Sequence, residues 1–362
     1  MWPNSDGGSY IPLGAARWDV RAIVQTGPEQ VEVQERERPE PGDSEVLVEV
    51  HSAGLCGSDA HAFRYHGDYE WTTLPRVVGH EYAGRVVELG SGVERFAVGD
   101  PVVEEPVHEC GHCVQCRRGQ TNVCQNVYVA GMHGDGGWAD YTVVPAEHLH
   151  PLPEGVPLRE AAVAEPASVA ARAVFEQSRL EPGDSVLVEG PGPIGALSAV
   201  LADAMGARVL VSGLEQDRQY RLPLLEDQGI DTVTVGDGAL GAATEERTAS
   251  GFDVVVDATG HHTGPGTALE HVRRGGQVVV VGIPGQPSEL SLAPAVRGEV
   301  DVETSYGSLW ADFERALQLM AAGDVDVGAL QDDSFAVEDP EAAFRSFLDS
   351  ETLKPVFSFG GD

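Results

Sequence analysis

Apolar positions in the first 160 residues recur in short runs divided by Gly, Pro and Asp. The runs are VRAIVQ from Val20, VLVEVHSAG from Val46, YAGRVVELG from Tyr82, DPVVEEP from Asp100 and DYTVVP from Asp140. This spacing predicts a small all-β core with long loops. From about Glu165 the period changes. Ala161 to Leu180 is alanine-rich and helical in character; SVLVE, a glycine turn and GALSAVLADAMGA then read as strand, turn and helix. Alternation continues through ARVLVSG, a polar helix around Arg218 to Gln228, DTVTV, FDVVVDATG and GGQVVVVGIPG, with residues 236–247 helical or loose. Short valine runs bounded by glycine suit strands buried on both faces of a parallel sheet, so the middle reads as a doubly wound α/β unit. The tail returns to helices in ADFERALQLMAAG and EAAFRSFLDS and ends in the strand-like LKPVFSF.

Composition narrows the class. A chain of 362 residues exceeds the usual limit of one hydrophobic core, and 42% hydrophobic content is ample for two. The net charge is -35, with 58 acidic against 23 basic residues, which strongly disfavours a nucleic-acid binder that would need clustered cations. Lys354 is the only lysine. An acidic, lysine-poor surface over an ordinary core points to a cytoplasm of high salt, where self-repulsion is screened. No apolar run reaches the length of a membrane span and the start carries no secretory pattern, so a cytoplasmic protein is expected.

Five cysteines are an odd number for a disulfide framework, and four fall in CGHCVQCRRGQTNVC. Cys110, Cys113, Cys116 and Cys124 have the spacing of a closed, structural Zn²⁺ site, leaving His108 and His112 as solvated neighbours. The fifth, Cys56, lies in GLCGSDAH, 24 residues before His80 in GHE. Thiolate, imidazole and carboxylate are the donor types of an open, catalytic zinc site. Gly190-Pro191-Gly192-Pro193-Ile194-Gly195 follows a strand and opens a helix, the context in which glycines admit a pyrophosphate to a helix N-terminus.

As an ordered set, GLCGSDAH, GHE, the four-cysteine lobe, GPGPIG and DATG resemble the zinc-dependent medium-chain dehydrogenases of the alcohol, polyol, sugar and threonine dehydrogenase superfamily, over nearly the whole chain. The resemblance implies an α/β protein: a GroES-like, β-rich catalytic domain from residues 1–170 and 307–362, and a Rossmann domain from residues 171–306. It implies Cys56 and His80 as ligands of the catalytic zinc, with Glu81 and Glu165 both in or beside its sphere and the directly bound one left open. Glutamate rather than cysteine at 165 favours the polyol, sugar and threonine branch. Ser58 and His61 match the family's proton relay, and the chemistry needs one: the substrate hydroxyl must shed a proton before hydride leaves its carbon. Asp59 is expected as a cap or as an acceptor for a ligand histidine.

An NAD enzyme places an acid at the end of the second Rossmann strand, where this chain has Gly213. That gap, with Arg218 nearby and Arg221 further on, favours NADP over NAD, while Glu215 argues the other way. Asp257, Ala258, Thr259 and Gly260 are expected to border the cofactor's ribose, and Val281, Gly282 and Ile283 the nicotinamide ring. Tyr65, Trp71 and Trp138 are loop aromatics, more in keeping with packing or exposure than with substrate contact. The expected activity is oxidation of a secondary alcohol or sugar hydroxyl by hydride transfer to nicotinamide in a homodimer or homotetramer. The alternatives are a threonine-type amino-alcohol dehydrogenase and a non-catalytic dinucleotide sensor. The sensor should have lost zinc ligands or relay residues, and none is lost.

Overall fold

The computed structural model describes residues 19–65, 69–332 and 334–360. The N-terminal half builds a seven-stranded sheet. Its spatial order is Leu149–Pro151, Pro101–Glu104, Glu81–Leu89, Glu45–Gly54, Val356–Ser358 and Ser334–Phe335, with Tyr141–Pro145 also paired to Glu45–Gly54. A smaller sheet joins Gln30–Glu37, Asp19–Gly27 and Arg76–Val77. Between them packs a core of Ile23, Val48, Val50, Trp138, Phe344 and Phe357. The tail strand Val356–Ser358 lies antiparallel to residues 52–54 of Glu45–Gly54, so the C-terminus returns to the first sheet.

The middle of the chain forms a six-stranded parallel sheet ordered Asp231–Thr234, Arg208–Gly213, Ser185–Glu189, Phe252–Asp257, Val272–Val280 and Asp301–Thr304. All five residues of SVLVE are buried, as a central strand covered on both faces requires. The order reverses between Ser185–Glu189 and Phe252–Asp257, which opens a crevice at their carboxyl ends. Helix Pro193–Ala204 starts there, with Gly192 as its N-cap and proline in its first turn.

Three local expectations need correction. The polar helix expected from Arg218 is broken into a 3-10 turn, Glu215–Gln219, and a helix, Arg221–Asp227. Asp217 causes the break: its carboxylate accepts the Leu214 N–H at 2.8 Å and caps the turn. His108 is not solvated. It bonds Glu104 at 2.9 Å and stacks on His148 at 4.0 Å, whereas His112 is exposed as expected. Arg221 is 9% exposed and donates to the carbonyls of Thr352 and Phe347, so it is committed to the tail and removed from cofactor recognition. Residues 236–247 resolve into a helix over Ala239–Arg247. Among the described residues no helix is long and apolar enough to cross a membrane.

Candidate active site

Strand Glu45–Gly54 is followed by Leu55, and Cys56 then serves as N-cap of the helix Gly57–Arg64. Asp59 accepts the Cys56 N–H at 3.2 Å, fixing the thiol at the mouth of that helix. Glu81 opens the neighbouring strand Glu81–Leu89, paired with Gly54, and His80 directly precedes it. A ligand atom from each of Cys56, His80 and Glu81 lies within 4.8 Å of the others. The ring of His80 is held from both sides. Its Nδ1 is 3.4 Å from Asp59 Oδ1 and its Nε2 is 3.4 Å from Ser58 Oγ. Asp59 therefore caps the helix and lies against the His80 ring.

This cluster fits a divalent cation on its own chemistry. Burial pushes the Cys56 thiol up, a shift that coordination cancels, since a metal-bound thiol is deprotonated outright. Although burial opposes it, Asp59 and Cys56 hold the His80 ring well above the usual imidazole range. The fully buried Glu81 has one oxygen, Oε1, with no hydrogen-bond partner, while its other oxygen pairs with Lys354. Glu165, on helix Ala164–Ala171, stands beside these groups without completing their cluster. Burial, together with Glu81, raises its pKa to about 7, and His80 partly offsets the rise.

The four remaining cysteines gather as their spacing requires. Cys113 Sγ is 3.3 Å from Cys116 Sγ and 3.9 Å from Cys124 Sγ, and Cys110 and Cys116 are 4.0 Å apart. A tetrahedron of Zn–S bonds of about 2.3 Å demands sulfur separations of about 3.8 Å. The Cys110 and Asn126 N–H groups each donate to Cys124 Sγ at 3.3 Å, so the lobe is preorganised for thiolates.

At the crevice, Gly190 takes a φ of 93° and the backbone doubles back so tightly that a Cβ on Gly195 would meet the Gly190 carbonyl oxygen at 1.8 Å. A Cβ on Gly192 would meet nothing within 4 Å, which leaves the helix N-terminus open to an anion. One cavity of about 420 Å³ is lined by Cys56, Ser58, His61, His80, Glu81 and Glu165 and also by Gly192, Pro193, Ile194, Ala258, Thr259, Val281, Gly282 and Ile283. The Cys56, His80 and Glu81 cluster and the residues expected to meet the cofactor thus border one cavity. Gly213 is fixed by packing, since a Cβ there would meet Leu222 and Pro191 at 2.9 Å. Beyond it, exposed Arg218 lies 3.5 Å from exposed Glu215.

The sequence singled out neither Tyr69, Ser305 and Tyr306 as cavity residues nor Lys354 as a site residue, yet all four line the cavity. The one signal for Lys354 was its rarity. Trp71 lines the mouth and is 52% exposed, whereas Trp138 is fully buried in the core; residues 66–68 of the loop before Trp71 lie outside the described residues.

Residues 42–154 match the alcohol dehydrogenase GroES-like domain family and residues 193–322 the zinc-binding dehydrogenase family. The chain belongs to the zinc-binding alcohol dehydrogenases. It is 34% identical to a sorbitol dehydrogenase of Halalkalibacterium halodurans over 94% of this chain and 99% of that protein. An L-threonine 3-dehydrogenase of Idiomarina loihiensis is 30% identical over 89% of this chain and 94% of its own length. Among solved structures, the NADH complex of an alcohol dehydrogenase from Escherichia coli CFT073 superposes with a TM-score of 0.86 at 29% identity, over 94% of this chain and 99% of that one. This dehydrogenase accordingly pairs a GroES-like domain with a Rossmann-type parallel sheet and takes zinc and a nicotinamide cofactor.

Proposed function

We propose that this dehydrogenase oxidises a secondary hydroxyl of a polyol or sugar, with NADP as the preferred acceptor. The observation that carries the reading is the cavity lining. Ser58, His61, Tyr69, Glu165, Ser305 and Tyr306 offer hydroxyl, imidazole and carboxyl partners suited to a polyhydroxylated chain, while no arginine lines the described cavity and its lysine, Lys354, is committed to Glu81. A threonine carboxylate lacks a free cationic anchor there. The domain division at residues 1–170 and 307–362 against 171–306 belongs to the same reading, supported by the return of the tail strand to the first sheet.

In this account Cys56, His80 and Glu81 hold the catalytic zinc, with Glu165 beside it, and Cys110, Cys113, Cys116 and Cys124 hold the structural one. When bound, the catalytic zinc polarises the substrate oxygen and the nicotinamide accepts the hydride. Asp59 fixes the tautomer and tilt of His80. Ser58, whose hydroxyl lies 3.4 Å from His80 Nε2, receives the substrate's proton, and His61, exposed and stacked at 5.5 Å on Tyr69, delivers it to solvent. Glu165 binds a neighbouring substrate hydroxyl. The bare end of the second strand at Gly213 and the exposed Arg218 support NADP, since guanidinium pairs well with a 2′-phosphate.

A high-salt cytoplasm and a homodimer or homotetramer complete the proposal. The -35 charge supports the first, and the exposed edge strand Asp301–Thr304 with Leu290, Leu292 and Val296 beside it supports the second. The test is a panel of polyols, sugars, secondary alcohols and threonine assayed with NAD and NADP at molar salt. Polyol or sugar turnover well above threonine turnover is expected; threonine as the best substrate would overturn the reading.

A further inference from the structure

Lys354 is the sole lysine of a chain that otherwise uses arginine for its side-chain cations, and it is 1% exposed. Its ammonium donates to the Leu55 carbonyl at 2.9 Å and to Glu81 Oε2, 273 residues away in sequence. The backbone around it is pinned. Asp332 bonds both the N–H and the carbonyl of Lys354, and the Pro355 carbonyl accepts the Leu55 N–H at 3.0 Å. Gly54 lets the pair pass close to the backbone, because a Cβ there would lie 2.7 Å from Glu81 Oε2 and 3.1 Å from Lys354 Cε.

We propose that Lys354 is a positioning residue that holds Glu81 by one oxygen and so limits its grip on the catalytic metal to the other. The inference rests on the reading of Cys56, His80 and Glu81 as the ligand set. Its physical content is a competition. Glu81 Oε2 is drawn to the ammonium, Oε1 has no hydrogen-bond partner and is free for a cation, and a positive charge beside the metal site weakens cation binding there. A metal bound less tightly by carboxylate keeps more of its charge for the substrate oxygen. Without the ammonium, both oxygens of a buried carboxylate are free to turn to the metal.

The test is a double-mutant cycle of Lys354→Met and Glu81→Gln, read by the rate of zinc loss to a chelator and by the visible spectrum of the Co²⁺-substituted protein. Lys354→Met should slow metal loss at least tenfold and weaken the d–d bands through added oxygen ligation. In the Glu81→Gln background the same change should do neither. Faster metal loss in Lys354→Met, equal in both backgrounds, means plain structural support and overturns the proposal; so does an unchanged rate and spectrum. If Glu81→Gln alone leaves metal retention and the Co²⁺ spectrum unaltered, the ligand reading itself fails. Should Lys354→Met not fold, Lys354→Gln, which keeps a neutral donor but removes the charge, is read in its place: the proposal requires slower metal loss and an altered Co²⁺ spectrum, and an unchanged rate and spectrum overturn it.

Discussion

Two glycines of one turn should fail in opposite ways. Gly192 has φ -71° and ψ 177°, backbone open to any residue, and its added Cβ meets nothing within 4 Å. As N-cap, alanine there loses a few tenths to about 1 kcal/mol against glycine, while the narrowed unfolded ensemble returns about 0.4–1 kcal/mol. Gly192→Ala should therefore leave the stability of the cofactor-free protein within about 0.5 kcal/mol of the parent. Its methyl group stands where the pyrophosphate approaches, and loss of one charge-assisted hydrogen bond, about 1.5–3 kcal/mol, weakens cofactor binding about 10- to 100-fold. Gly195→Ala is the reverse case. Its Cβ would sit 1.8 Å from the Gly190 carbonyl, which is backbone and cannot rotate away. Overpacking of this kind costs about 3 kcal/mol, or roughly 6 °C at about 2 °C per kcal/mol in a large chain. Thermal unfolding without cofactor and titration with NADPH by fluorescence separate the two. If Gly192→Ala lowered Tm as far as Gly195→Ala, or bound NADPH with undiminished affinity, the assignment of this turn to the pyrophosphate would be wrong.

Arg218→Ala should weaken NADP more than NAD, and equal weakening in paired titrations removes the 2′-phosphate role. Cys113→Ser should lower bound zinc from two to one per chain by elemental analysis; retention of both contradicts a thiolate site in that lobe. Glu189 is 3% exposed with both oxygens unpartnered, and burial raises its pKa to about 8 from 4.5. A raised folded-state value means that stability is full below about pH 4.5 and is lost as pH climbs to about 8, at up to about 1.4 kcal/mol per pH unit. Glu189→Gln should thus raise Tm at pH 8 and match the parent near pH 4.5, whereas a gain independent of pH refutes the cause. Lowering salt from about 2 M to about 0.1 M lengthens the screening distance from a few Å to about 10 Å, so a chain of charge -35 should lose Tm; an unchanged Tm argues against adaptation to salt.

Much of this was readable in the chain because the informative groups are local. A parallel strand covered on both faces must be apolar throughout, so SVLVE announced itself. The four-cysteine lobe and the glycine turn each lie within 15 residues, where spacing maps directly onto geometry. The strand Gln30–Glu37 was missed because QVEVQERE sits at a sheet edge with no residue fully buried, leaving no apolar run to read. His108 misled for a related reason: its burial comes from rings distant in sequence, those of Tyr128 and of His148, forty residues on. Lys354 and Glu81 meet only once the tail strand pairs with Glu45–Gly54, a contact no local pattern encodes. The same holds for Arg221, whose partners Phe347 and Thr352 arrive from the tail.

In the proposed mechanism the metal donors and the nicotinamide cradle act in one cavity on one substrate carbon. Sorbitol deuterated at its secondary carbinol carbons, incubated with NADP and the zinc-loaded protein at molar salt, tests it most directly, with the reduced cofactor analysed by mass spectrometry. The account predicts one deuterium in the NADPH, formation of NADPH abolished by chelation and restored by zinc. Reduced cofactor carrying only solvent hydrogen, or deuterium transfer that persists after the catalytic zinc is removed, would contradict it.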